Sequence, residues 1–173
     1  MLKILTKGCE PTKGSKYSAC IDLRTNNDYI IPAGETKLIG LGICIDPEKL
    51  ENTILTTLSQ EQDKKEHIGN WNLSQEQDKK EYIDNWNKTH YLQLAIRSSL
   101  GKKGLILPNG IGIIDMDYRD EIKMIVYNSN KQDFNINKND RVGQMMICRH
   151  ETDLFNIDTE ETRKGGFGSS GER

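Results

Sequence analysis

Short runs of strand-forming residues, each closed by a turn signal, constrain this chain more than any other feature of its sequence. Lys3 to Thr6 is a brief apolar-alternating segment that runs into a turn-rich stretch through Pro11, Gly14 and Ser15. Ala19 to Leu23 and Lys37 to Ile45 are rich in strand formers, and Pro32-Ala33-Gly34 supplies the turn ahead of the second. The same style returns at Tyr91 to Ile96, Leu105 to Leu107, Ile111 to Ile114, Glu121 to Tyr127 and Val142 to Cys148. Many short strands with frequent turns predict an all-β sandwich or barrel of the jelly-roll kind. With 173 residues the chain is long enough to bury a core as one domain, 1–173.

A different texture separates the two β-rich halves. Leu58 to Asn72 is repeated as Leu73 to Asn87, with differences only at His67/Tyr82 and Gly69/Asp84. Each copy opens on Ser with Gln three residues later (Ser59/Gln62, Ser74/Gln77), a capping-box pattern. Glu, Gln and Lys follow as good helix formers, with Gly69-Asn70 and Asn85 as stops. The repeat therefore predicts two short helices, or one kinked helix, as an insert over 58–87. Two readings stay open. One is a tandem duplication in a tolerant surface loop; the other is a partner-binding module anchored by Trp71 and Trp86.

Charge and cysteine usage narrow the class. A formal net charge of −2 gives no general attraction to nucleic acid or anionic membrane, so an anionic ligand must be held by a few local cations. No stretch approaches the roughly 18 apolar residues of a membrane helix. The N-terminus lacks a signal-peptide pattern, so an intracellular, cytoplasmic protein is expected. Cys9, Cys20, Cys44 and Cys148 form no CxxC pair and read as reduced thiols, with Cys20 and Cys44 in the core. Cys148 and His150 could share a strand face, but no second pair has metal-ligand spacing.

Three segments carry chemistry. In Asn109 to Glu121, Asp115 and Asp117 would project from one side of an extended chain, behind Gly110 and Gly112. A carboxylate beside such a pocket can serve as a general base on water, although Asp-x-Asp also occurs in solvated turns. Arg97 to Gly104 brings a guanidinium, two hydroxyls and two ammonium groups into eight residues, which suits a phosphate or a solvated basic loop. Arg163 to Gly171 is a Gly- and Ser-rich tail around a lone Phe167. It reads either as a disordered terminus or as a lid over 163–173 that stacks an aromatic on a base.

In order and content these segments resemble the five motifs of the homotrimeric dUTPase family. The motifs are Ala19-Cys20-Ile21-Asp22-Leu23, Arg97-Ser98-Ser99-Leu100, Asn109 through Glu121, Arg141-Val142-Gly143-Gln144, and Arg163 through Gly171. The resemblance implies a dUTPase-type β fold and hydrolysis of dUTP to dUMP and pyrophosphate, serving nucleotide-pool sanitation and dTMP supply. It implies Asp115 as the general base and Asn109, with the hairpin at Gly112 and Ile114, as the reader of uracil. Tyr118 would pack under the deoxyribose. Arg97, Ser98, Ser99 and Gln144 would hold the triphosphate, and Asp22 would contact Mg²⁺ through water. Phe167 would stack on uracil, with Arg163, Gly168 and Ser169 near the terminal phosphate. A homotrimer with sites shared between subunits follows from the same resemblance.

Departures from the family pattern are Cys20 and Ser99 in place of glycine, Asp120 after Tyr-Arg, and an Arg163–Phe167 spacing shorter by one. Ser99 also matches the dCTP deaminases of the same fold, the nearest rival. A deaminase needs a catalytic Glu where this chain has Ile125. A nucleotide-binding scaffold that uses the insert to hold a protein partner is the other alternative.

Overall fold

The computed structural model describes residues 1–63 and 75–155, and they form an antiparallel β structure with helices between its halves. The first half holds β1 (Leu2–Ile4), β2 (Thr12–Lys13), β3 (Ile21–Arg24), β4 (Tyr29–Ile31), β5 (Thr36–Gly40) and β6 (Ile43–Ile45). Helices α1 (Pro47–Asp63) and α2 (Glu76–Thr89) follow. Then come β7 (His90–Ile96), the short helix α3 (Ser98–Gly101), β8 (Leu105–Ile106), β9 (Gly112–Asp115), β10 (Lys123–Asn128), β11 (Phe134–Ile136) and β12 (Arg141–Arg149). A 3-10 turn at Thr152–Phe155 ends the described chain.

The largest sheet has the order β2-β3-β12-β7-β9, and β5-β10-β8 forms a second. Two pairs, β1-β6 and β4-β11, complete the pairing among the described residues. The alternation that marks β10 in the sequence buries Met124 and Val126 and leaves Lys123, Ile125 and Tyr127 half-buried, as period two requires. Leu92, Leu94 and Met145 supply the matching face of the large sheet. Where β12 crosses β10 the sheets approach closely: a Cβ on Gly143 would lie 2.7 Å from Met124 Sδ. A larger residue there would have to displace the Met124 side chain.

Several expected boundaries shift. Strands β2, β4 and β11 are two or three residues long, too short to display an alternation. The single run expected over 37–45 is two strands, because Gly42 turns the chain at φ +62, where a Cβ would meet Cys9 Sγ at 2.7 Å. Cys44 is buried as expected, whereas Cys20 is half-buried and lines a surface cleft with Met1, Ala19 and Ile147. All four cysteines are free thiols.

The helices differ most from the sequence reading. Helix α1 begins at Pro47, well before Ser59, because Asp46 caps it: Asp46 Oδ1 accepts from the Lys49 N–H at 3.2 Å. Ser59 lies inside the helix and its Oγ donates to Leu55 O at 2.9 Å, so it starts nothing. Leu50, Ile54 and Leu58 recur at helical spacing and are all buried. Helix α2 starts at Glu76 without a side-chain cap and runs past Asn85 to Thr89, directly into β7. The expected start at Ser74, the stop at Gly69-Asn70 and the anchor Trp71 lie outside the described residues.

Trp86 is engaged within the chain. Its ring stacks on His90 at 4.2 Å and 6°, His90 Nδ1 lies 2.9 Å from Trp86 O, and the side chain packs against the core. That packing carries α2 past its weak stop and gives the half-buried Trp86 a role within the chain. Replacing Trp86 with alanine is expected to cost about 2 kcal/mol, read as a lower urea midpoint. The Lys49 backbone N–H also holds the Asp46 carboxyl below its ordinary range. A depressed folded-state value stabilises above the unfolded range and ceases to do so as pH falls through it. The stability gap between wild type and Asp46→Ala should therefore narrow on acidification, as thermal melts at several pH values would record.

Candidate active site

The structure gathers the described candidate residues into two clusters, each built by different strands. The first lies around the β8–β9 connection, which is not the expected hairpin because β8 pairs with β10 and β9 with β7. Gly110 holds φ +75 in the turn, its N–H donating to Leu107 O at 2.9 Å, and Asn109 Nδ2 donates to Ile111 O at 2.9 Å. Behind this turn is a cleft of about 140 Å³ lined by Asn109, Gly112, Ile114, Tyr118, Met124 and Ile125. A Cβ at 112 would lie 3.0 Å from Leu94 Cβ, so Gly112 lets the start of β9 sit close against β7.

Tyr118 forms part of this cleft and is only 5% exposed. Its hydroxyl donates to Glu121 O at 3.2 Å, while its N–H donates to Asp115 O at 3.1 Å. The chain therefore turns after Asp115 where an extended run was expected, yet Asp115 and Asp117 are both exposed and Met116 and Tyr118 both buried. Burial, with Asp120 and Glu121 adding to it, raises the Tyr118 hydroxyl above its ordinary value and keeps the phenol neutral. Asp115 ends β9, opposite Tyr91 of β7.

The second cluster is polar and centres on Asp22, a residue 5% exposed. Its carboxylate faces Arg97 Nε at 3.2 Å and Arg141 NH1 at 3.0 Å, and it accepts from Gln144 Nε2 at 3.3 Å. Strand pairing accounts for the meeting: Gln144 of β12 lies opposite Asp22 on one side and Ala95 on the other. Arg97 is fixed as β7 ends, its N–H donating to Val142 O at 3.1 Å, and it precedes α3, where Ser98 and Ser99 are exposed. A polar cavity of about 460 Å³ adjoins the cluster, with Arg24, Arg97, Ser99, Lys103 and Arg141 in its wall. Arg24 escaped the sequence reading because it lies outside its motifs; Lys103 was legible within the basic Arg97 to Gly104 segment, and Arg141 as part of a motif.

The clusters share a sheet without meeting on it. Asp22 is on β3 and Asp115 on β9, with β12 and β7 between them, and Asp115 pairs four residues away from the position opposite Gln144. At ordinary strand spacing and rise this separates the two carboxylates by about 20 Å. Arg163, Phe167, Gly168 and Ser169 lie outside the described residues.

Solved structures share this architecture. The dUTPase of Streptococcus mutans aligns over 86% of this chain and 94% of its own, with 19% identity and a TM-score of 0.56. The dUTPase of Staphylococcus bacteriophage 80alpha aligns over 95% and 94%, with 15% identity and a TM-score of 0.57. These establish the class, an antiparallel β fold found in dUTPases. The dUTPase family model matches residues 86–171. A deoxyuridine 5'-triphosphate nucleotidohydrolase of Rickettsia felis is 43% identical over 172 residues, covering 95% of this chain and 89% of the relative. One from Candida glabrata is 28% identical over 170 residues, covering 95% and 90%. The chain belongs to the dUTPase family.

Removing Asp22 would leave guanidinium groups in a half-buried site without their counter-charge. Asp22→Ala is expected to destabilise the fold by about 2–3 kcal/mol, discounted for the exposure of Arg141, as a urea titration would measure.

Proposed function

We propose that this chain hydrolyses dUTP to dUMP and pyrophosphate in a homotrimer whose sites combine the Tyr118 cleft of one copy with the Asp22 cluster of another. The separation of about 20 Å between Asp115 and Asp22 carries the reading, since a water held by Asp115 and the groups that hold the triphosphate must act at one phosphorus, which the two clusters of a single chain are too far apart to do. Combining two copies removes the conflict.

In this reading the cleft takes the nucleoside. Asn109 and the backbone at Gly112 and Ile114 read the uracil edge, and the neutral ring of Tyr118 supports the deoxyribose and leaves no room for a 2′-hydroxyl. Asp115 at the mouth orients the attacking water and accepts its proton. Arg97, Ser98, Ser99 and Gln144 hold the triphosphate and stabilise charge that develops as the α–β bridge breaks. Ile125 in the cleft wall leaves it apolar where a deaminase would need a carboxylate. Arg163, Phe167, Gly168 and Ser169 are assigned to a closing tail by the motif resemblance.

The donor set also fits Mg²⁺ of one kind. Asp22 is a single carboxylate already engaged by two guanidiniums and an amide, which suits a hydrated ion carried on the triphosphate and touched through water. Bound there, Mg²⁺ would neutralise phosphate charge. No helix among the described residues is long and apolar enough to cross a membrane. Within the described part of the repeat Leu58 is buried and Tyr82, Ile83 and Trp86 pack against the core, which favours a structural role for the insert over partner capture.

Two tests follow. Asp115→Asn should lower kcat on dUTP by about 100- to 10,000-fold with dUMP binding retained, the range of a lost general base. Asp115→Asn and Gln144→Ala chains, each inactive alone, should regain turnover when co-refolded, because mixed assemblies contain sites with both residues intact. Mixtures no more active than the two variants apart would mean that each site lies within one chain.

A further inference from the structure

The segment that carries Tyr118 is tied to the rest of the fold at one side chain outside the cleft. Glu121 Oε1 accepts from Asn26 Nδ2 at 2.7 Å and from the Gly42 N–H at 2.8 Å. Asn26 is held in turn: its Oδ1 accepts from the Tyr29 hydroxyl at 2.6 Å, and that hydroxyl oxygen accepts from the Gly40 N–H at 2.9 Å. The network is closely fitted, since a Cβ on Gly40 would lie 2.3 Å from Asn26 Nδ2 and 2.8 Å from Glu121 Oε1. At the same residue the backbone carbonyl of Glu121 receives the Tyr118 hydroxyl at 3.2 Å. One residue thus ends the turn, fixes the tyrosine and fastens both to the β3–β4 and β5–β6 connections.

We propose that Glu121 is a positioning residue for sugar selection: by locking the 115–122 turn onto Asn26 and Gly42, it sets the depth of Tyr118 in the cleft and so the discrimination between deoxyribose and ribose. This rests on the reading of Tyr118 as the surface beneath the sugar. A small displacement of a ring that excludes a hydroxyl alters the ratio of two substrates more than the rate of the preferred one, because the preferred sugar tolerates extra space and the rejected one is admitted by it. Both donors to Glu121 are uncharged groups, so the site uses its oxygen as an acceptor, and a glutamine can supply the same acceptor.

The test compares wild type, Glu121→Ala, Glu121→Gln and Asn26→Ala for kcat and KM on dUTP and UTP with Mg²⁺, together with thermal midpoints. Glu121→Ala should lower the dUTP-to-UTP ratio of kcat/KM by about tenfold or more, mostly through improved use of UTP, with Glu121→Gln within about threefold of wild type. Asn26→Ala keeps Glu121 and its bond to Gly42, so it should fold if Glu121→Ala does not, and should shift the ratio in the same direction by less. An unchanged ratio in the folded variants, with only a lower midpoint, would overturn the proposal and leave Glu121 a structural residue. Wild-type protein that fails to turn over dUTP would remove the functional reading and this inference with it, and that result appears before any variant is compared.

Discussion

The Asp22 carboxylate is the interaction on which the arrangement of the polar half depends. A carboxylate 5% exposed would be costly if unpaired, and here two guanidiniums and an amide surround it. Its partners come from the end of β7 and from β12, so one charge fixes the edge of β3, the start of β12 and the entry to α3 together. Both arginines are thereby directed to one place while Ser98 and Ser99 stay open to solvent. A triphosphate would meet cations whose positions are already set, the condition under which electrostatic stabilisation needs least reorganisation.

The Tyr118 cleft is organised differently. Its walls mix apolar side chains with Asn109 and Lys123, its one aromatic is neutral, and its shape depends on glycines where a Cβ has little room or where the backbone turns left-handed. Gly110 allows the turn, Gly112 brings it against Leu94, and the distant pair Gly40 and Gly42 lets Glu121 reach its donors. Shape can select a planar base and a sugar lacking a hydroxyl, whereas charge is needed to hold phosphate. The fold keeps the two kinds of surface apart on one sheet, and a second copy is what would bring them together.

The duplicated helices belong to the structure more firmly than their repetition suggests. Leu50, Ile54 and Leu58 of α1 are buried, and the last turn of α2 is stacked on the first residue of β7. Helices of this length are marginal alone, and the packing explains why α1 extends back to Asp46 and α2 forward to Thr89. A capping pattern in sequence marks a possible start; contact with the core decides which start is used.

By itself the sequence determined the β class, the longer strands, the segments that carry chemistry and the family, because each is written in local pattern or in motif content. Polarity alternation is legible over the six residues of β10 and absent from strands of two or three. Residues joined by long-range hydrogen bonds were out of reach: nothing near Glu121 in the chain indicates Asn26 or Gly42 as its partners, 95 and 79 residues away. Only the tertiary structure decided that Asp22 neutralises Arg97 and Arg141, that the Trp86 ring stacks on His90, and that the two clusters stand apart. The physical reason is shared: pairing and packing depend on distance in space, and chain order records that distance only for near neighbours.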